Sequence, residues 1–318
     1  MRRLQNLALK VIMDRLNTPR YIVISPAKDE SERIEKTIQS VVAQTVVPLR
    51  WIIVDDGSRD GTAEIVQRYA QKFNWIQLHR IDRDAERRLG SAEILAFAAG
   101  FELVKHLQFD FIVKLDCDLE LPASYFDSLI AKFECDERLG IASGQYCEET
   151  EKGWIHVAAP PYHAAGASKM VRMQCYKDIG GFPMRPGWDT ADEIKAQYRG
   201  WRTRRFVEIP FRHLRKRGAA MGAMHMNRLE GKAYYGCGGG ILFLGLKVAH
   251  RMATGNPPIL GGLALLFSYL KALIAAQERL VNAAEARFYR DVLNQRIWSI
   301  LRRNGQEHDK GSEGMIAI

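Results

Sequence analysis

Between residues 21 and 115 the chain alternates between short apolar runs and segments in which apolar residues have helical spacing. Four runs are rich in β-branched or aromatic residues and have the length of buried strands: 21–25, 51–54, 75–78 and 109–115. Three segments between them repeat apolar residues every three or four positions: 30–44, 62–73 and 91–107. This alternation predicts an α/β fold with a mostly parallel sheet covered by helices.

Beyond residue 220, glycine-rich apolar segments replace this alternation, and a helical pattern follows. Residues 259–276 form an apolar stretch near the lower length limit of a membrane span. Glycines, Ser268 and Lys271 interrupt this stretch, so we expect it to lie in a membrane surface. A helical hairpin packed on the α/β domain or on a dimer partner would also explain the pattern. The predicted parts are an N-terminal helical segment (1–19), the α/β domain (20–220), a helical membrane-associating extension (221–303) and a flexible tail (304–318).

The charge of the chain is unevenly distributed. Residues 201–318 carry 19 basic and 8 acidic side chains, whereas residues 1–200 carry 27 and 29. A basic segment can serve nucleic acid, anionic lipid or a phosphorylated substrate. The chain has no ordered basic-aromatic motif, so we expect no nucleic-acid partner. The five cysteines are scattered without a CxxC pair and the N-terminus lacks a secretory pattern, which indicates a cytoplasmic location.

Carboxylates follow several of the predicted strands, where α/β sheets bind their ligands. Asp116-Cys117-Asp118 closes the run at 109–115, and two buried carboxylates two residues apart need a compensating cation. A hard divalent ion fits, because it binds carboxylate and phosphate oxygens together. A carboxylate pair in solvent remains the alternative, and Asp82-Arg83-Asp84 repeats the pattern in a polar loop. GxGxxG and P-loop motifs are missing from the first turn, so the phosphates must be held in another way.

Three further groups carry candidate chemistry. Asp55 and Asp56 follow the run at 51–54 and can accept hydrogen bonds from a base or ribose, or they can cap the next helix. Asp189 begins a predicted helix and can serve as a general base or as a helix cap. His213 stands in a basic turn with Arg212, Arg215, Lys216 and Arg217, where it can bind a metal beside phosphate-binding cations or lie in solvent.

Four motifs in order resemble those of the family 2 glycosyltransferases, which have the GT-A nucleotide-diphospho-sugar transferase fold. They are ISPAKDE with SVVAQT, IIVDDGSRDGT, KLDCDLELP, and GWDTADE with RGW. The resemblance covers roughly residues 20–217. It implies inverting transfer from a UDP-, GDP- or dTDP-sugar, assisted by Mg²⁺ or Mn²⁺. The implied acceptor is a glycan or lipid-linked saccharide in cell-surface polysaccharide synthesis.

The resemblance also implies roles for individual residues. The nucleotide-sugar positions are Pro26, Ala27, Glu30, Asp55, Asp56, Lys114, Asp116 and Cys117. The metal positions are Asp116, Asp118 and His213. The catalytic base is Asp189, with Asp192 in reserve, since Trp188-Asp189 replaces the usual Glu-Asp. The acceptor positions are Gly166, Lys169, Arg172 and Glu193.

Two departures from the family pattern narrow the expected activity. Lys28-Asp29 replaces the usual Tyr-Asn of the first motif, and the Gln-x-x-Arg-Trp motif of processive synthases is missing. Single transfer is therefore favoured over polymerisation. The basic, apolar C-terminal third resembles membrane-seating extensions of bacterial enzymes, which implies a peripheral position on the inner face of the cytoplasmic membrane.

Two other functions fit parts of this pattern, and the pattern does not determine the oligomeric state. A sugar-phosphate nucleotidyltransferase shares a related fold and metal use, but its first strand is typically followed by a glycine-rich basic loop, whereas PAKDE stands here. A membrane-associated scaffold without enzymatic activity would also use the basic third.

Overall fold

The computed structural model describes residues 19–81, 91–151, 153–215, 222–255 and 257–312, with side chains as far as residue 298. The predicted segment at 1–19, except its last residue, lies outside the described residues, as do Asp82-Arg83-Asp84, Lys216 and Arg217. The described residues form two compact units, one of 19–184 with 199–215 and one of 185–198 with 222–312. The second unit therefore takes fourteen residues from within the predicted 20–220 domain.

The first unit is built on a sheet of nine strands within the described residues. They are β1 (Tyr21–Ala27), β2 (Arg50–Asp55), β3 (Ile76–Arg80), β4 (Phe111–Leu115), β5 (Leu119–Glu120), β6 (Leu139–Thr150), β7 (Gly153–His156), β8 (Ser168–Arg172) and β9 (Arg202–His213). The order is β3-β2-β1-β4-β8-β6-β9-β5, and β7 pairs with β6. The first four strands are mutually parallel, whereas β8 runs antiparallel to β4. The prediction of an α/β fold is confirmed, but the sheet is mixed rather than mostly parallel, because β5, β7 and β8 pair antiparallel with their neighbours.

Helices cover this sheet. Those of the first unit are α1 (Ile34–Val42), α2 (Thr62–Lys72), α3 (Ala92–Glu102), α4 (Tyr125–Cys135) and α5 (Met173–Asp178). Helix α1 buries Ile34, Ile38 and Val41 in the same core as Trp51. Helix α3 approaches the sheet closely at Gly100, where a Cβ would lie 2.7 Å from Ile24 Cγ2. The sheet is thus buried by residues whose spacing predicted amphipathic helices.

The register of the strands brings distant residues to one edge of the sheet. Ala27 pairs with Asp55, so the ends of β1 and β2 are level. Strand β4 is parallel to β1 and ends at Leu115, immediately before Asp116. The short strand β5 then pairs Leu119 with His213 at the end of β9. These pairings bring carboxylates and a histidine together across nearly 100 residues of sequence.

The second unit is helical. Its elements are α6 (Trp188–Tyr198), α7 (Ala223–Gly236), α8 (Ile241–Thr254), α9 (Leu260–Ile274) and α10 (Ala283–Ser312). Helices α7 to α10 share a core that contains Tyr234, Leu265, Tyr269 and Leu293. Helix α10 extends past the predicted boundary at 303. None of the described helices combines the length and the apolar character that crossing a bilayer requires.

Helix α6 is held in the second unit by small and apolar side chains. Ala191 and Ile194 pack in a core cluster with Cys237, Val281 and Ala286. Burial of this face explains why a segment that precedes β9 groups with the C-terminal helices rather than with the sheet. Composition placed the boundary at 220 and did not reveal that α6 belongs to the second unit, because the residues on which α6 packs lie roughly 40 to 95 positions further along the chain.

Close packing of α7 on α9 gives a test of the second unit. A Cβ at Gly231 would lie 2.1 Å from the backbone oxygen of Leu265, whereas a Cβ at Gly245 in α8 would meet nothing within 4 Å. We expect Gly231→Ala to lower the free energy of unfolding by about 1–3 kcal/mol. Gly245→Ala should raise it by about 0.5–1 kcal/mol, because alanine favours the helix. Chemical denaturation of both variants measures the difference, and equal effects would contradict the close packing.

Candidate active site

Two carboxylates and one imidazole meet at the carboxyl end of β4. Asp116, Asp118 and His213 each offer one ligand atom, and these atoms lie within 4.8 Å of one another. The Nε2 atom of His213 is 3.4 Å from Oδ1 of Asp118. Asp118 is buried and Asp116 is half-buried. This group has the oxygen and nitrogen donors that a divalent ion such as Mn²⁺ or Mg²⁺ accepts, with fewer ligands than a full coordination shell.

A buried threonine fixes the backbone between the two aspartates. Thr37 of α1 accepts a hydrogen bond from the Leu119 amide at 2.9 Å, and its hydroxyl also lies 2.9 Å from the Cys117 carbonyl. The Cys117 thiol is buried and donates to the Pro26 carbonyl at 3.4 Å. Cys117 therefore joins the ends of β4 and β1 with its side chain turned into the protein. Its neighbours on both sides are the residues that carry the carboxylates.

The backbone around His213 determines which ring nitrogen is available. Its Nδ1 atom lies against the carbonyl oxygen of Arg215. The Arg215 amide also lies 3.3 Å from Nδ1, so the backbone of Arg215 occupies this edge of the ring. The Nε2 atom faces Asp118 on the opposite edge, which is the orientation that a metal ligand requires. The Leu214 amide donates to the Asp118 carbonyl at 2.8 Å and holds the two segments together.

Cations surround the carboxylates of this site. Lys114 is buried at the end of β4, and its ammonium contacts Asp116 and lies 3.5 Å from Glu93. The Arg215 guanidinium donates to Glu30 at 2.6 Å and lies 3.6 Å from Asp118. Each buried negative charge thus has a positive partner, as buried charges require.

Burial and neighbouring negative charge make Glu30 and Asp116 weaker acids than usual. Desolvation, with the nearby charge of Asp118, raises the pKa of Glu30 to about 7, although Arg215 opposes the change. Desolvation also raises the pKa of Asp116, which Lys114 counteracts. Both carboxyls are therefore protonated more readily than in solution, and a bound cation would favour their charged form.

A second acidic position lies at the end of β2. Asp55 is fully buried, its Oδ1 atom accepts a hydrogen bond from the Ser58 amide at 2.9 Å, and its Oδ2 atom lies 3.1 Å from Nε of Arg80. Lys28 donates to the Asp56 carbonyl at 2.8 Å and also contacts that of Gly57. Lys28 thereby fixes the turn that carries both aspartates. Gly57 has a φ of 75°, which favours glycine there.

The structure brings together most of the residues that the sequence assigned to donor and metal. Glu30, Lys114, Asp116, Asp118 and His213 form one linked group. The remaining donor positions belong to the neighbouring strand ends, namely Pro26, Ala27, Asp55 and Asp56. Pro26 and Ala27 contribute carbonyls that accept from Cys117 and from the Asp56 amide, which leaves them in the scaffold of the site.

The residues assigned to the acceptor are dispersed. Gly166 lies in the loop before β8, and Lys169 is buried on β8 opposite Lys114. Arg172 lies opposite Phe111, at the other end of β4 from Asp116. Its guanidinium donates to the carbonyls of Phe133 and Leu139, at 2.7 and 3.1 Å. Arg172 therefore stabilises neighbouring backbone segments and lies away from the edge where the carboxylates meet.

The remaining acidic residues belong to α6 in the second unit. Asp189 is half-buried in the first turn of the helix. Asp192 and Glu193 are buried, and the Asp192 carboxylate accepts a hydrogen bond from the Glu193 amide at 2.6 Å. Among these three, Asp189 has the most accessible carboxylate.

Sequence reasoning gave no role to two charged residues that pair with the predicted ones, Arg80 and Glu93, and named Arg215 only as part of a basic turn. Arg80 pairs with Asp55, Glu93 lies near Lys114, and Arg215 joins Glu30 to Asp118. Arg80 ends β3, so the rule that polar residues after strands mark the ligand edge would have found it. Arg215 stood in the basic turn beside His213, but its individual partners depend on the pairing of β5 with β9.

The raised pKa of Glu30 predicts how stability depends on pH. A carboxyl whose pKa rises from 4.5 to about 7 on folding binds its proton more tightly in the folded state. Its contribution to stability is present below pH 4.5 and is lost as the pH rises through about 7. The Glu30→Gln side chain stays neutral at every pH. The melting temperature of this variant should therefore fall less than that of the wild type as the pH rises from 4.5 to about 7. Thermal melts in a metal chelator measure this, and parallel pH curves would contradict it.

Comparison with known proteins relates this site to a family. The family model of Glycosyl transferase family 2 matches residues 22–185. The poly-beta-1,6-N-acetyl-D-glucosamine synthase of Staphylococcus aureus strain COL is 30% identical over 118 residues, which cover 36% of this chain and 26% of the synthase. Glycosyltransferase AglE of Haloferax volcanii is 33% identical over 92 residues, 26% of this chain and 30% of AglE. The aligned region is about a quarter of the synthase's length.

Solved structures share the fold at low sequence identity. Staphylococcus aureus TarS 1-349 in complex with UDP-GlcNAc gives a TM-score of 0.52 at 16% identity and covers 80% of this chain and 73% of that one. Mannosyltransferase PcManGT from Pyrobaculum calidifontis, in complex with GDP-Man and Mn²⁺, gives a TM-score of 0.51 at 19% sequence identity. The match covers 89% of this chain and 81% of PcManGT. The GT-A fold class is thereby confirmed. Because the family match spans more than half of the chain, the protein belongs to glycosyl transferase family 2, and it is a glycosyltransferase.

Proposed function

We propose that the protein transfers a sugar, with inversion, from a nucleotide-diphospho-sugar to a saccharide acceptor in the synthesis of a surface polysaccharide. The observation that carries the proposal is the group of Asp116, Asp118 and His213 at the end of β4, beside Asp55 at the end of β2. One group suits a diphosphate with its counter-ion, and the other suits the nucleoside. Their adjacency matches the two halves of one donor.

The donor set fits a divalent ion. Two carboxylates and one imidazole converge, and the pairing of Arg215 with Asp118 and Glu30 shows that this group attracts positive charge. We propose that Asp116, Asp118 and His213 hold Mg²⁺ or Mn²⁺. When bound, such an ion neutralises the charge that develops on the leaving diphosphate. Arg215 can turn its guanidinium toward phosphate oxygens once Asp118 has another cation.

The nucleoside half rests on Asp55, Asp56 and Arg80. Asp55 keeps one oxygen on the Ser58 amide and the other on Arg80, so its orientation is fixed before a ligand arrives. A fixed carboxylate beside a guanidinium presents both an acceptor and donors to a base or ribose. We propose that this pair recognises the nucleoside of a UDP-, GDP- or dTDP-sugar.

The acceptor proposal draws on the relatives. The synthase from Staphylococcus aureus is named for a poly-N-acetylglucosamine product, and TarS was solved with UDP-GlcNAc. We infer a glycan or lipid-linked saccharide acceptor, with Gly166 and Lys169 among its candidate contacts. Arg172 is a weaker candidate, because its guanidinium already serves three backbone carbonyls.

We assign the general base to Asp189. Direct displacement needs a carboxylate that can reach the acceptor hydroxyl and remove its proton. Asp189 is half-buried in the first turn of α6, whereas Asp192 is fully buried and holds the Glu193 amide. We assign Asp192 and Glu193 to fixing the start of the helix, and Asp189 to proton removal.

The metal assignment predicts the behaviour of Asp118→Asn. The substitution keeps the side-chain volume but removes the charge that binds a cation, so Mn²⁺-dependent binding of UDP and GDP should weaken at least roughly hundredfold. Isothermal titration with and without Mn²⁺ measures the change. Asp127→Asn, an exposed carboxylate in the first turn of α4, is the matched control and should bind as the wild type does. Unchanged nucleotide affinity in Asp118→Asn would contradict the assignment.

The base assignment predicts a different pattern for Asp189→Asn. Donor affinity should be preserved, and the rate of transfer should fall by about 10²–10⁴-fold, because only proton removal is lost. Release of UDP or GDP from UDP-GlcNAc or GDP-mannose, in the presence of oligosaccharide acceptors, measures the rate. Asp192→Asn is the comparator. If Asp192→Asn abolishes transfer while Asp189→Asn retains it, the base is Asp192.

A further inference from the structure

Exposed apolar side chains are concentrated on two helices of the second unit. Ten of the seventeen large apolar residues that are exposed in the described part of the chain lie between Ile241 and Ile274. Single exposed apolar residues are common on soluble proteins, but a concentration of this kind indicates a binding surface. We call the exposed side chains of α8 and α9, with Ile259, the apolar face.

Helix α9 is apolar on opposite sides. Its inner side buries Gly261, Gly262, Leu265, Tyr269 and Ala272. Its outer side carries large apolar residues at helical spacing: Leu260, Leu263, Phe267, Leu270 and Ile274. Phe267 is 69% exposed and Ile274 is 85% exposed. The outer stripe extends over all fifteen residues of the helix, so it is a continuous feature of α9 and not a local irregularity.

Helix α8 repeats this arrangement. Leu244 and Val248 are buried toward the unit, whereas Ile241, Leu242 and Leu246 are exposed. Small exposed residues continue the outer side at Ala249 and Ala253. The helix therefore presents bulky apolar groups in its first two turns, whereas its later turns expose the polar His250 and Thr254 beside these alanines.

The backbone before α9 adds to the exposed surface. Ile259 follows two prolines, has a φ of 58° and is exposed. A β-branched residue rarely adopts a positive φ, and such conformations persist where the surrounding structure or a function requires them. The conformation leaves the Ile259 side chain in solvent next to Leu260 in sequence.

The charge of this region has one sign. Residues 241–277 contain Lys247, Arg251 and Lys271 and no acidic residue. Glu230 of α7 is the acidic partner of Lys247 and Arg251, at 2.8 and 2.6 Å. Lys271 is exposed on α9, one turn from Phe267, and its ammonium can reach beyond the apolar stripe. Glu230 offsets one of the two charges on α8, and the exposed Glu278 and Arg279 after this region offset each other, so Lys271 and one charge of α8 leave the edge of the apolar face positive. This combination complements a layer of anionic headgroups over hydrocarbon.

We propose that the apolar face docks the protein on an anionic lipid bilayer, with α9 lying in the plane of the interface. Fifteen residues of helix span roughly 22 Å, less than the roughly 30 Å of a bilayer core, so an in-plane position buries the outer stripe more completely than insertion end-on. A second copy of the chain is a poorer occupant, because it would bring like charges together around the interface. The proposal rests on this face alone and does not depend on the proposed transferase chemistry.

Vesicle binding tests the proposal with the full chain. Wild-type protein should co-sediment with vesicles of phosphatidylcholine containing roughly 30% phosphatidylglycerol, and less with phosphatidylcholine alone. Phe267→Gln with Ile274→Gln should lower the partition coefficient by roughly tenfold or more, because two exposed anchors are lost. Lys271→Gln should lower binding to the anionic vesicles by roughly fivefold and leave binding to neutral vesicles unchanged.

A matched control tests whether the loss of any two exposed apolar side chains weakens vesicle binding, or only the loss of those on the apolar face. Ile155→Gln with Val207→Gln removes two exposed apolar residues from strands of the first unit, and it should bind vesicles as the wild type does. Equal loss in both double variants would overturn the proposal, as would wild-type protein that ignores both kinds of vesicle. A dimer in sedimentation equilibrium that dissociates in the Phe267 and Ile274 variant, without vesicle binding, would assign the face to a second copy instead. Nucleotide binding should persist in every variant, so failure here leaves the donor site unaffected.

Discussion

Concentrated negative charge at the ends of β1 and β4 is the constraint on which the site depends. Burial raises the pKa of Glu30 and of Asp116, and the nearby charge of Asp118 adds to both effects. Lys114 and Arg215 offset part of this charge. The sheet makes the arrangement possible, because parallel strands end at one edge and β5 returns His213 to it. The folded chain is therefore least stable when no cation occupies this group, and a bound cation raises its stability.

The sequence predicted those features that local patterns determine. Apolar runs separated by helical spacing defined the alternating strands and helices, and the position of Asp116 and Asp118 after a strong run identified the site. His213 was named from its basic surroundings, and the structure places it beside Asp118. The contacts of Arg80 and Arg215 were not predictable, since they depend on strand pairings between distant segments. Arg172 was predicted to contact the acceptor, but it lies at the end of β8 away from the carboxylates. The sequence did not indicate which end of β8 lies at the site.

The second unit shows a further limit of composition. A change in composition marks residue 220, but α6 at 188–198 packs with Cys237, Val281 and Ala286. The apolar stretch at 259–276 was expected to lie in a membrane surface, with a packed helical hairpin as the alternative. In the structure its inner side forms the core of a helical unit, and its outer side remains exposed. Hydrophobicity alone could not separate these two uses, because both sides of the helix carry the same kinds of residue.

The central claim is that the carboxylates and His213 hold a divalent ion together with the diphosphate of a nucleotide. Pulsed electron paramagnetic resonance of Mn²⁺ bound to the wild-type protein with UDP or GDP tests it most directly, since the method detects nuclei within the coordination shell. If the ion is held in this way, we expect the Mn²⁺ electron spin to couple both to an imidazole nitrogen and to phosphorus. A spectrum that lacks the nitrogen coupling, or Mn²⁺ bound without any phosphorus coupling, would contradict it.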